Sequence, residues 1–221
     1  MQSIAGTFLY IARAVDPTML VDINDIGDEQ ALPTTDTIQK TKMLMDYAAT
    51  QTDAVIRFHV NDMCLHIDSD DAYLVQPKTC RRAAGHFYIS DNPPLDNIRP
   101  APSPNGSILT KCQTIRTVMA SSAEAETGAV LLNGQQAVPI RTALTEMGHP
   151  QPPTPIKTDR ATSYGIITGN MRRKHSKAFD MRFHLMHCRI KKNKFHLYWQ
   201  REPKTLLITS PSTSLPNTTY G

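Results

Sequence analysis

No two of the four cysteines form a Cys-x-x-Cys pair: Cys64, Cys80, Cys112 and Cys188 stand far apart. That spacing supports neither a zinc knuckle nor a disulfide framework, and free thiols are the reading it leaves. No apolar run approaches the roughly 20 residues a membrane helix needs. The opening MQSIAGTFLYIARAV has neither the basic start nor the small-residue cleavage site of a signal peptide. A soluble protein inside the cell, with no membrane partner, is expected. Aromatic residues are few, at 6% with a single Trp, yet 40% of the 221 residues are hydrophobic, enough for one large or two small cores. Acid runs out toward the end: no aspartate follows Asp180, and Glu202 is the one later glutamate.

Basic residues gather where the acids fail. From 171 to 204 there are 11 Lys or Arg against Asp180 and Glu202, while the other residues carry 13 basic and 18 acidic side chains, so a chain of net charge +4 is strongly polarised. A basic third of this kind suits a polyanion, with nucleic acid the commonest candidate. A solvated basic helix face explains the same residues equally simply. The candidate phosphate contacts are Arg172, Arg173, Lys174, Lys177, Lys191 and Lys192.

The pattern along the chain changes near residue 60. Before it come short helical segments at 4–14 and 36–51, the second read as capped by Asp36 with Ile38, Met43, Met45 and Ala48 on its apolar side, separated by the break DPTM. After it MCLHI (63–67), GHFYIS (85–90) and SILTKC (107–112) read as three successive antiparallel strands. A helix is predicted from Ser121 or Ser122, kinked or restarted at Pro139. Next come an extended run PIKTD (155–159), a brief helix ATSYGIITG, and a helix with Ala178, Met181, Leu185 and Cys188 on one stripe. A last strand, KFHLYW (194–199), follows. Three antiparallel strands followed by alternating helices and strands imply an α/β mixed sheet flanked by helices. The expected division is a helical connection segment at 1–60, the sheet domain at 61–200, and a polar, disordered tail at 201–221.

The stretch HIDSDDAYL (66–74) places Asp68, Asp70 and Asp71 within four positions. Unpaired carboxylates repel one another and are costly to desolvate, so they face water or hold a cation. An EF-hand loop is excluded, because counting from Asp68 gives Ala72 and Tyr73 where a ligand and a glycine are needed. Asp70-Asp71 also has no second polymerase-palm segment to join. In the expected sheet the first and fourth strands can lie side by side, which brings Asp70, Glu124 or Glu126, and Asp159 to one edge as a divalent-cation site. Strand-end Asp and helix-start Glu are also ordinary cap and turn residues. His184, His187 and Cys188 share a helix but have no second ligand group of zinc spacing, and read as surface or packing residues.

SDDAY (69–73), SSAEAETGA (121–129), IKTDRATSYGII (156–167) and SKAFDMRFHLMHCRI (176–190) resemble the ribonuclease H domain of copia-type LTR retrotransposon polyproteins. QSIAGTFLYIARAVDPTM (2–19) and LMDYAATQTDAVIRFH (44–59) are similar to the segment joining the reverse transcriptase to that domain. The resemblance implies a ribonuclease H-like fold and hydrolysis of the RNA strand of an RNA–DNA hybrid with two Mg²⁺ ions, Mn²⁺ being the substitute. It maps the catalytic, metal-binding acids onto Asp70, Glu126 and Asp159, with Asp70 and Glu126 on one ion and Asp70 and Asp159 on the other. Asp68 and Asp71 are then neighbours of the site. It also implies work beside the reverse transcriptase part of a larger polyprotein, in cytoplasm, virus-like particle or nucleus. The family's fourth acid, carried by a helix after the last strand, has no counterpart in QREPKTLLITSPSTSLPNTTYG (200–221). Weak or absent cleavage is expected, and a non-catalytic RNA- or hybrid-binding remnant is the alternative.

Overall fold

The computed structural model describes residues 2–72, 81–92, 104–115, 122–169 and 177–200. The chain divides into two compact units, one drawn from Met1–Ile56 and the other from Arg57–Pro203. The terminal segment 201–221 lies outside the described residues.

The first unit holds three helices: α1 (Gln2–Ala14), α2 (Leu20–Glu29) and α3 (Thr35–Thr50). The DPTM break is a helix start: Asp16 accepts from Thr18 N–H and caps a 3-10 turn at Pro17–Met19 that runs straight into α2. α2 has no sequence counterpart above, although Leu20, Ile23 and Ile26 bury one face of it. The cap of α3 is Thr34, which exchanges hydrogen bonds with Thr37 in a capping box; Asp36 sits inside the first turn. Its buried residues are Thr37, Thr41 and Leu44, whereas Ile38 and Met45 are exposed, so the apolar face expected for this helix is displaced. Two hydroxyls fit inside because each finds a partner, Thr37 on Glu29 Oε2 at 2.7 Å and Thr41 on the Thr37 carbonyl at 2.8 Å.

The second unit is built on β1 (Cys64–Ala72), β2 (Arg81–Ser90), β3 (Ser107–Ile115), α4 (Ser122–Glu146), β4 (Thr154–Thr158), α5 (Ala161–Thr168), α6 (Lys177–Lys191) and β5 (Phe195–Trp199). The sheet order is β3-β2-β1-β4-β5, with β1, β2 and β3 antiparallel and β4 parallel to both β1 and β5. This is the mixed sheet flanked by helices that the element order implied. β1 outruns its apolar core, because pairing from Cys64↔Ser90 to Ala72↔Arg82 gives the polar SDDA end the same ladder bonds.

One sheet face packs on the helices through Leu65, Ile67, Phe87, Ile156, Phe195 and Leu197. α4 meets it with Ala129, Val130, Asn133 and Ala137, a helical stripe; Pro139 lies on the exposed side and the helix continues through it as a single element. α6 presents Phe183 and Met186 inward while Leu185 and Cys188 are exposed, which corrects that half of the expected stripe; the side chains of Ala178 and Met181 lie outside the described residues. Among the described residues no helix is long and apolar enough to cross a membrane.

Candidate metal centre

The parallel register between β1 and β4 places the site. Ile67 lies level with Ile156 and Asp68 with Lys157. Carrying the same offset two residues further, to the next side chains on that face, sets Asp70 level with Asp159. Glu126 comes from the start of α4, and one ligand atom from each of Asp70, Glu126 and Asp159 lies within 4.8 Å of the others. Glu124, the other acid of that turn, is not in the cluster. A helical rotation of about 200° separates residues two apart, so the two glutamates cannot share a face.

Each acid is held differently. Glu126 is fully buried and its Oε1 accepts from the Thr158 hydroxyl at 2.6 Å. Asp159 follows the last residue of β4; its backbone oxygen accepts from Trp199 Nε1 at 2.9 Å, while Oδ1 is buried with no hydrogen-bond partner among the described residues. Asp70 is carried by a strand that Asn133 of α4 clamps: its Nδ2 donates to Ser69 Oγ at 2.9 Å and to the Ala84 carbonyl at 2.8 Å. The close approach needs Gly85, where a Cβ would run into the Asn133 side chain.

One level back on the same face, Asp68 accepts from Lys157 Nζ at 2.7 Å, both side chains more than four-fifths buried. The Tyr88 hydroxyl reaches Asp68 at 3.5 Å, and burial first, then the Asp68 charge, pushes the Tyr88 and Tyr198 phenols well above their usual range. Burial pulls the neighbouring His66 and His86 imidazoles down. Asp68 is thus paired with a lysine, one level behind the acid cluster. Converging carboxylate oxygens from three acids, with Asp159 Oδ1 buried without a donor among the described residues, match the oxygen-only preference of a hard divalent cation.

Thr158, Asn133, Gly85 and Lys157 do not stand out in the sequence. Only Gly85, a glycine inside a strand pattern, carries a signal of close backbone approach. Of the basic candidates, Lys191 and Lys192 are exposed at the end of α6. Lys177 is the first residue of that helix. Arg172, Arg173 and Lys174 lie outside the described residues.

Neither a family model nor a curated protein matches the chain. Solved structures do. A foamy viral protease-reverse transcriptase in complex with dsDNA matches over 93% of this chain and 38% of its own length, with 11% identity and a TM-score of 0.50. This chain therefore spans well under half of that protein. LC11-RNase H1 in complex with an RNA/DNA hybrid matches over 63% of this chain and 86% of its own, with 11% identity and a TM-score of 0.43. RNase H1 from the halophilic archaeon Halobacterium salinarum NRC-1 matches over 64% and 86%, with 14% identity and a TM-score of 0.37. The shared feature is the fold, a mixed five-stranded sheet flanked by helices.

Proposed function

We propose that the chain is a ribonuclease H-like domain of a copia-type LTR retrotransposon polyprotein that hydrolyses the RNA strand of RNA–DNA hybrids. Residues 61–200 form the catalytic domain in this reading, and 1–60 the connection from a reverse transcriptase. The observation that carries it is the convergence of Asp70, Glu126 and Asp159 from two adjacent parallel strands and a helix start. These three acids would hold Mg²⁺ or Mn²⁺, which when bound supplies charge stabilisation to the phosphodiester and an acidified water for attack. The chain's own part is to fix the oxygens: Glu126 is turned by Thr158, and Asp70 and Asp159 are set level by strand register. Lys191 and Lys192 offer positive charge to a phosphate backbone, and recognition through backbone and groove shape needs no base sequence.

The test is cleavage of a labelled RNA–DNA hybrid in Mg²⁺ and then Mn²⁺ beside the double variant Asp70→Asn, Asp159→Asn. Cleavage that the variant loses is the expected result, at a low rate, because among the described residues three acids converge where the resemblance implies four. The same three-acid count favours a second reading, a module that binds hybrid without cutting it. Salt-sensitive hybrid binding with no scission in either metal would replace the first reading by the second.

A further inference from the structure

Thr158 stands between two of the acids. It precedes Asp159 in the chain, and its hydroxyl lies 2.6 Å from Glu126 Oε1, with both residues 0% exposed. An ionised carboxylate can only accept, and the Arg160 N–H approaches the same threonine oxygen at 3.4 Å as a donor, so the hydroxyl hydrogen is directed to Glu126. The backbone that carries Thr158 is itself held, since its carbonyl accepts from Gln200 N–H at 3.1 Å. The turn that carries Glu126 is anchored too. The Ala123 carbonyl accepts from Thr127 Oγ1 at 2.8 Å within α4 and from Ser163 Oγ of α5 at 3.2 Å.

We infer that Thr158 is a positioning residue for the metal centre: its hydroxyl fixes the rotation of the Glu126 carboxylate and ties it to the strand end that bears Asp159. Two of the three acids are thereby set relative to each other before a cation arrives. The inference rests on the cation-binding reading above. Residues that orient metal ligands typically contribute 10–100-fold to affinity, and a buried carboxylate without its donor turns elsewhere or protonates.

The measurement is Mn²⁺ and Mg²⁺ affinity by titration calorimetry on the full chain, for wild type, Thr158→Val, Thr158→Ala and Thr158→Ser, with thermal melts in EDTA to establish folding. Val keeps the volume and loses the hydroxyl; Ser keeps the hydroxyl. The expected result is at least tenfold weaker binding for Val and Ala, and binding within about threefold of wild type for Ser. Where Val does not fold, Ala carries the comparison. Val or Ala binding like wild type overturns the inference and leaves the metal centre standing, as does a folded Ser variant that binds as poorly as Val. A wild type that binds neither cation overturns the metal centre and the inference together.

Discussion

The Asp68–Lys157 pair makes a two-signed prediction about the acid cluster. Both residues lie one side-chain level, about 7 Å, behind Asp70 and Asp159 on the same sheet face. A divalent cation among the acids would then be about 8 Å from either charge. Coulomb's law gives about 1 kcal/mol per unit charge at that distance in water-like surroundings and about 4 kcal/mol at an effective dielectric of ~20. Even the lower figure is about a fivefold change in affinity. Lys157→Met removes a positive charge and should tighten Mn²⁺ binding at least fivefold. Asp68→Asn leaves the lysine uncompensated and should weaken binding by a similar factor. The double variant removes both charges and should return to within about twofold of wild type. Titration calorimetry on folded variants measures all four affinities, below the melting temperature of the least stable one, because breaking a buried pair also costs stability. Single variants that shift affinity in the same direction, or a double variant as far displaced as either single, would refute the electrostatic reasoning.

Two further outcomes concern the sheet itself. His66 is buried against Tyr88, its Nε2 within 2.9 Å of the Asp91 carbonyl, and desolvation lowers its pKa, so the folded chain keeps it neutral while the unfolded chain protonates it below about pH 6.5. Stability from this residue is therefore present above that pH and is lost as pH falls toward the lowered folded value. The thermal midpoint should drop between pH 7.5 and 5.5, and a folded His66→Gln variant should show a shallower slope; an unchanged slope would remove His66 as the cause. Gly85→Ala should destabilise by roughly 1–3 kcal/mol, because the added carbon meets the Asn133 side chain. Urea unfolding should find that Asn133→Ala recovers part of that loss in the double variant, and strict additivity would place the clash elsewhere.

Elements with strong local signals were legible in the sequence. The five strands and α4 through α6 follow from alternation and turn chemistry, with ends displaced where pairing extends a ladder through polar residues, as at SDDA. Three helical details were not. α2 contains Asp22, Asp25, Gly27 and Asp28, which dilute its apolar pattern, and the faces of α3 and α6 depend on which neighbour they meet. α3 buries two threonines because partners are present to satisfy them, a tertiary fact absent from any periodicity. Periodicity left Glu124 and Glu126 equivalent, and the cluster containing Glu126 follows from how α4 seats on the sheet. The supporting contacts were beyond reach: Thr158 meets Glu126 across 32 positions through the seating of α4 on the sheet, and Lys157 meets Asp68 across 89 through the parallel register.

That register sets two levels of the same two strands against each other, and the contrast can be measured. At the inner level a lysine faces an aspartate; at the outer level two aspartates and a buried glutamate share a space in which their oxygens come within 4.8 Å. At that outer level Asp159 Oδ1 is desolvated with no donor among the described residues. A chain that needed these residues only for its fold would gain by losing one charge there. Asp159→Asn should therefore melt higher than wild type in EDTA, by about 2–4 °C for each kcal/mol of relieved desolvation in a chain of this size. Added Mg²⁺ should raise the wild type and leave the variant nearly unmoved, since stabilisation by a ligand follows its affinity for the folded state. Differential scanning calorimetry in both buffers decides the matter. A variant that melts below wild type in EDTA would make Asp159 a structural residue whose partner is not a cation, and the desolvation cost assigned to the outer level would be wrong.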